Sequence, residues 1–127
     1  MRVRTVYVSG NLIVKEDSVP LRIMDRLQKK FPEISFRELD PTENMPEEKT
    51  LNIIDTVIGI EDVRVIKNID SIVTGKVYSL HDFDLGFNLK LMKKAGKIKN
   101  VHIIGVPASM NDDTALEGVS RAIREMR

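Results

Sequence analysis

The sequence predicts an α/β fold, a single three-layer α/β/α domain spanning residues 1–127 on a mainly parallel, twisted sheet. Three observations carry this. Apolar runs of strand length alternate with segments whose apolar residues recur at helical spacing, as in Val101-His102-Ile103-Ile104 followed by Leu116, Val119 and Ile123. The run from Leu51 to Ile60 is almost continuously apolar, as a strand covered on both faces requires. No repeat or low-complexity linker interrupts the 127 residues, a length that supports one compact core.

Taken in order, the β-branched and aromatic run Val3 to Val8 predicts a first strand, stopped by Gly10-Asn11. Ser18 or Val19 is positioned to cap a helix with Pro20 in its first turn, where a missing N–H costs nothing. Ile23, Leu27 and Phe31 recur at helical spacing beside Met24, and Pro32 ends the helix. Ile34 to Leu39 nearly alternates, which predicts a half-exposed strand near a sheet edge. Asp40 to Lys49, with Pro41 and Pro46, is a polar loop. Leu51 to Ile60 is a central strand, and Val63 to Ile66 and Lys76 to Leu80 are short strands separated by a turn or irregular segment over 68–75. Asp84 is a candidate N-cap for a helix through Ala95, with Leu85, Leu89 and Met92 on one face, Lys93 and Lys94 in the last turn and Gly96 beyond. Val101 to Val106 is a buried strand, and Thr114-Ala115-Leu116-Glu117 matches a capping box opening a final amphipathic helix.

Composition excludes several function classes. The absence of cysteine removes disulfides, thiolate zinc sites, iron–sulfur clusters and a cysteine nucleophile, so any metal site must use carboxylates and the two histidines. Lys and Arg number 20 against 19 for Asp and Glu, a net charge of +1, which gives no overall field for nucleic acid or an anionic membrane. Lys93, Lys94, Lys97 and Lys99 cluster, but cations at a helix C-terminus answer its dipole. No apolar stretch approaches the ~20 residues of a membrane span, and the start lacks the apolar core of a signal peptide. A cytoplasmic protein without nucleic-acid or membrane partners is expected; composition sets no oligomeric state.

In open α/β sheets functional groups gather in the crevice outside the carboxyl ends of the strands. Three candidates map to that edge: Asp17, second of the acidic pair Glu16-Asp17 before the first helix; Asp55, within the central strand; and His81, after Val77-Tyr78-Ser79-Leu80. Each has a structural explanation beside the functional one. Asp17 could favour the positive end of the helix, worth about 0.3–1 kcal/mol. His81 could organise the loop before Asp84. Asp55 is harder to explain structurally, because a charged, unpaired carboxylate in an apolar strand costs several kcal/mol; it must be near solvent, hydrogen-bonded or bound to a cation. His102, inside an apolar run, reads as a partly buried strand residue. Phosphate-binding Gly-x-x-x-x-Gly-Lys-Ser/Thr, dinucleotide-binding Gly-x-Gly-x-x-Gly and Gly-x-Ser-x-Gly nucleophile-elbow motifs are all absent. Ser9 beside Gly10 reads as a strand-ending turn.

The segment Gly10-Asn11-Leu12-Ile13-Val14-Lys15-Glu16-Asp17 resembles the N-terminal signature of the endopeptidases that mature the large subunit of nickel–iron hydrogenases. That signature is a strand, Gly-Asn, a short apolar stretch, an acidic pair and a helix. A later aspartate ending a buried strand is similar to Asp55, a histidine before a helix to His81, and the ending Val101 to Pro107 plus a helix to the family's last strand and helix. The resemblance implies that Asp17, Asp55 and His81 engage nickel already inserted in a hydrogenase large-subunit precursor, with Glu16 as possible substitute for Asp17, and that a C-terminal extension is then cut off. Zinc or cadmium could stand in for nickel at such a set. The chain departs from the family at Ser18-Val19-Pro20, where glycines usually follow the acidic pair, and at Asp40-Pro41-Thr42-Glu43, where the family has a Gly-rich loop. Those departures motivate an alternative, a non-catalytic relative that binds the precursor; a second is an unrelated carboxylate and histidine metal-dependent hydrolase.

Overall fold

A computed structural model describes residues 4–10, 18–39, 46–67, 79–80 and 83–126. Its elements in chain order are β1 (Thr5–Val8), α1 (Val19–Lys30), β2 (Ser35–Glu38), β3 (Thr50–Ile58), β4 (Arg64–Ile66), β5 (Ser79–Leu80), α2 (Phe83–Lys94), β6 (Asn100–Pro107) and α3 (Asp112–Met126). Five strands form one sheet in the order β2-β1-β3-β6-β4, and the two-residue β5 pairs onto β3. The β1/β2, β1/β3 and β3/β6 pairs are parallel, whereas β4 on β6 and β5 on β3 are antiparallel. The expected α/β fold with a mainly parallel sheet is therefore what the chain forms.

Strand alternation sorts the side chains into two cores. Val6, Val8, Ile54, Ile104 and Val106 pack with Val19, Ile23 and Leu27 of α1 and Ala115, Val119 and Ile123 of α3 on one face. Leu51, Ile53, Val57, Val101 and Ile103 pack with Leu85 and Leu89 of α2 on the other. This is the three-layer arrangement, with β3 and β6 covered on both sides, and it explains why those two segments read as unbroken apolar runs. β2 lies at the sheet edge, as its near-alternation implies. That edge is closed by Gln28 of α1: Phe36 N–H donates to Gln28 Oε1 at 3.1 Å, while Gln28 Nε2 donates to the carbonyl of Ile34 at 2.6 Å. A side chain thus occupies backbone groups that would otherwise template another strand.

Three helix ends refine the sequence expectations. Ser18 is the N-cap of α1 with Pro20 in the first turn, but its side chain makes no capping bond to the helix backbone and engages Arg22 Nη1 instead. α2 begins at Phe83, so Asp84 lies inside the helix rather than at its cap. It ends as expected at Gly96, whose φ of +79° suits glycine, with Lys97 N–H bonding the Met92 carbonyl at 2.9 Å and Gly96 N–H that of Lys93 at 3.1 Å. The capping box proposed at Thr114 is not the start of α3. Asn111 caps it, its Oδ1 accepting from Asp113 N–H at 2.9 Å and Thr114 N–H at 3.3 Å, and Glu117 pairs with Arg121 within the helix. Asn outranks most residues as an N-cap, so the first good acceptor ahead of the apolar stripe wins over a pattern match one turn later.

Arg22–Asp112 at 2.9 Å and Arg26–Asp113 at 2.8 Å tie α1 to α3. Being exposed, such pairs contribute at most about 1 kcal/mol each. The hydrogen bond from Arg22 holds the Asp112 carboxyl below the usual carboxylate range. His102 is half-buried on β6, as expected, and burial together with Lys67 pushes its imidazole below 6.5. The unfolded chain therefore accepts a proton that the folded protein resists. His102's contribution to stability is complete above about pH 6.5 and is lost as pH falls through its depressed folded value. Chemical denaturation between pH 7.5 and 5 should show this decline, and His102→Gln should flatten it; an unchanged slope would assign the decline to other groups.

Among the described residues, no helix is long and apolar enough to cross a membrane. The beginning of the first expected strand (1–3), the signature segment (11–17), most of the polar loop (40–45), the stretch 68–78 and residues 81–82 lie outside the described residues.

Candidate functional site at the carboxyl edge of the sheet

The chain leaves β1 toward β2 on one side and later returns to place β3 on the other side of β1. Connections thus diverge between the carboxyl ends of β1 and β3, the topological switch point at which open α/β sheets form their ligand crevice. Asp55 lies on the carboxyl half of β3 and is 0% exposed. Alternation along β3 puts it on the α2 face, between Ile53 and Val57. Full burial rules out the solvated explanation for this carboxylate; an anion held there costs several kcal/mol unless bonded or bound to a cation.

The neighbouring strands shape the space around it. Ser9 N–H donates to the Ile54 carbonyl at 2.9 Å, so the β1/β3 ladder continues one residue past Val8 and sets Ser9 beside Asp55. Ser9 is itself buried. It sits immediately after β1, at the strand end that Gly10 implied, and its N–H carries the pairing with β3 one step further. On the other side Asp55 pairs in register with Gly105 of β6. A Cβ on Gly105 would stand 2.8 Å from Val57 Cγ2 and 3.2 Å from Ile60 Cδ1, so a glycine is required by close approach. Gly105→Ala should destabilise by about 1–3 kcal/mol, read as a lower urea midpoint with unchanged slope; an unchanged midpoint would show that Val57 and Ile60 yield freely. Leu80 of β5 pairs with Val57, which brings the end of β5 to the carboxyl end of β3, two residues past Asp55.

Of the predicted site residues, Asp55 is described and occupies the expected edge. Asp17, Glu16 and His81 lie outside the described residues. The described residues that flank them in sequence are Ser18, buried at the start of α1, and Leu80. Among the described residues, no group of three or more His, Cys, Asp or Glu could hold a metal ion.

No protein-family profile and no curated protein matches the chain. Solved structures do. The chain is similar to an endopeptidase from Escherichia coli known from its solution structure, with a TM-score of 0.61 and 17% identity over 99% of this chain and 94% of that one. It is also similar to an uncharacterized protein from Wolinella succinogenes, with a TM-score of 0.54 and 12% identity over 98% of this chain and 94% of that one. The fold is shared across nearly the full length of both. At these identities the likeness speaks for the fold.

What the described geometry offers chemically is one oxygen ligand in a dry environment. A carboxylate fits a divalent first-row ion, and a low-dielectric site strengthens its attraction to a cation. The row Ser9, Asp55 and Gly105 sets a small residue on either side of the carboxylate. Gly105 escaped the sequence reading because a glycine inside an apolar run signals close approach only once its strand partner is known.

Proposed function

We propose that this protein is a hydrogenase maturation endopeptidase that removes the C-terminal extension of a nickel-loaded hydrogenase large-subunit precursor in the cytoplasm. The observation that carries this reading is Asp55, a fully buried carboxylate at the switch point of the sheet. The name of the Escherichia coli structural neighbour, an endopeptidase, supports the same reading. So does the signature Gly10 to Asp17, whose order with Asp55 and His81 matches that family.

In this reading Asp17, Asp55 and His81 are the protein's ligands to the nickel carried by the substrate, with Glu16 able to replace Asp17. A divalent ion held by oxygen and imidazole donors can polarise the scissile carbonyl or lower the pKa of an attacking water. In this reading Asp55 contributes an oxygen ligand from a position fixed by β3, whose backbone is held by β1 and β6 on either side. Because the metal arrives with the substrate, the protease acts only on a completed precursor.

The test is incubation of the purified protein with nickel-loaded precursor, followed by intact-mass spectrometry. Release of a discrete C-terminal peptide is expected. Stable binding without release would favour the non-catalytic relative that Ser18-Val19-Pro20 and Asp40-Pro41-Thr42-Glu43 bring to mind.

A further inference from the structure

The two edges of the sheet are finished differently. At β2 the Gln28 side chain bonds the outward backbone groups, whereas among the described residues β4 makes no backbone hydrogen bond beyond its pairing with β6. Alongside β4 runs a groove of about 510 Å³. It meets Asp62, Val63, Arg64 and Val65 in succession, and because neighbouring residues of a strand point to opposite faces, such a groove follows the edge of the strand rather than one face. Its other wall is a single stripe of α3, made by Thr114, Glu117, Gly118, Arg121, Ala122 and Glu125 at spacings of three and four residues. Gly118 brings the two walls together: a Cβ there would stand 2.8 Å from Val63 Cγ2. From Thr114 to Glu125 the helix rises about 16 Å, the length of about five extended residues.

Charge is ordered along the helical wall: Glu117, Arg121 and Glu125, all exposed, follow one another at four-residue steps of about 6 Å. A strand laid in the groove presents every second residue to the same side at steps of about 6.7 Å, so three such residues match that series. Glu117 and Arg121 touch at 3.4 Å, an exposed pair that water screens, and Asp62, Arg64 and Glu125 form no ion pair among the described residues. We propose that the groove between β4 and α3 binds an extended peptide as an added strand, one carrying a basic, an acidic and a basic residue at alternate positions. The backbone edge of β4 supplies affinity, and the charged stripe of α3 supplies selection. No segment of these 127 residues has that pattern, so a second copy of this chain is not its match. Val63 and Val65 pack with the α1 and α3 core, on the side opposite Asp55, which makes the groove a second site, independent of the function proposed above.

The test titrates the whole protein with the peptide Lys-Val-Glu-Val-Lys, flanked by glycines, acetylated and amidated. Binding is followed by fluorescence anisotropy of the labelled peptide and by amide NMR of the protein. Saturable binding is expected, with shifts confined to residues 62–66 and 114–125. N-methylating the peptide at one alternate set of residues should abolish binding and at the other set should leave it, because only every second N–H of a strand faces its neighbour. Glu117→Lys/Glu125→Lys, on the exposed wall of α3, should weaken binding about tenfold or more at a thermal midpoint close to wild type, and should take up Glu-Val-Glu-Val-Glu instead. No saturable binding by wild type, equal binding of the charge-reversed Glu-Val-Lys-Val-Glu, or equal loss with both N-methylated sets would overturn the proposal. A wild-type dimer in sedimentation that Glu117→Lys/Glu125→Lys breaks would assign the groove to a second copy and overturn it as well.

Discussion

Asp55→Asn is expected to abolish processing while leaving the protein folded. Asparagine keeps the shape and one carbonyl acceptor but removes the negative charge that a divalent ion requires. Loss of even an indirect metal partner costs 10–100-fold, so loss of a ligand should lower the rate of peptide release by about two orders of magnitude or more. The fold should persist, because asparagine is nearly the same size and shape at a position that is 0% exposed. Lost cleavage in a folded protein is the mark of a functional group. Intact-mass kinetics and a thermal melt on the same preparation decide it. Retained cleavage, or a lowered melting point with cleavage kept, would make Asp55 a structural residue.

The second large effect is on the scaffold. Ile54 is fully buried next to Asp55 in sequence but faces the opposite core, with Val8, Val19, Ile104 and Ala115. Ile54→Ala should therefore destabilise by about 2–5 kcal/mol through lost burial and the cavity it leaves. For a domain of this size that corresponds to a melting-point drop on the order of 10 °C. Leu91→Ala, a deletion of similar size at a position of α2 that is 50% exposed, should stay within about 0.5 kcal/mol. Equal losses at the two positions would mean that α2 packs against more of the fold than its exposed stripe indicates.

The contrast between Ile54 and Asp55 also shows what the sequence made legible. β3 and β6 could be read because burial on both faces leaves an unbroken apolar run, and a charged residue within such a run identifies itself. The edge position of β2 was legible from its near-alternation. Other features were not, for identifiable reasons. β4 has three residues, too few to carry a directional signal, and its antiparallel placement follows from the chain's return rather than from its own composition. The start of α3 was misplaced because Thr114 and Glu117 satisfy a local pattern, while the competing cap, Asn111, is distinguished only by the bonds it makes. Ser9 looked like a turn because Gly10 follows it, and its burial beside Asp55 depends on a ladder with a distant strand. Leu85, Leu89 and Met92 were read correctly as the inward face of α2.

The switch point belongs to the same class of information. The position of Asp55 on a buried strand was readable; that this strand adjoins β1, with the chain diverging between them, required the strand order. Asp55 is thus placed by the strand order, whereas Asp17, Glu16 and His81 rest on the sequence signature.

The most direct test of the proposed function is a paired measurement of processing on nickel-loaded and nickel-free precursor under identical conditions, with the mass of the precursor followed over time. The account predicts loss of one discrete C-terminal peptide from the loaded precursor and no change in the nickel-free one. An unchanged mass in both, or equal cleavage of both, would contradict it.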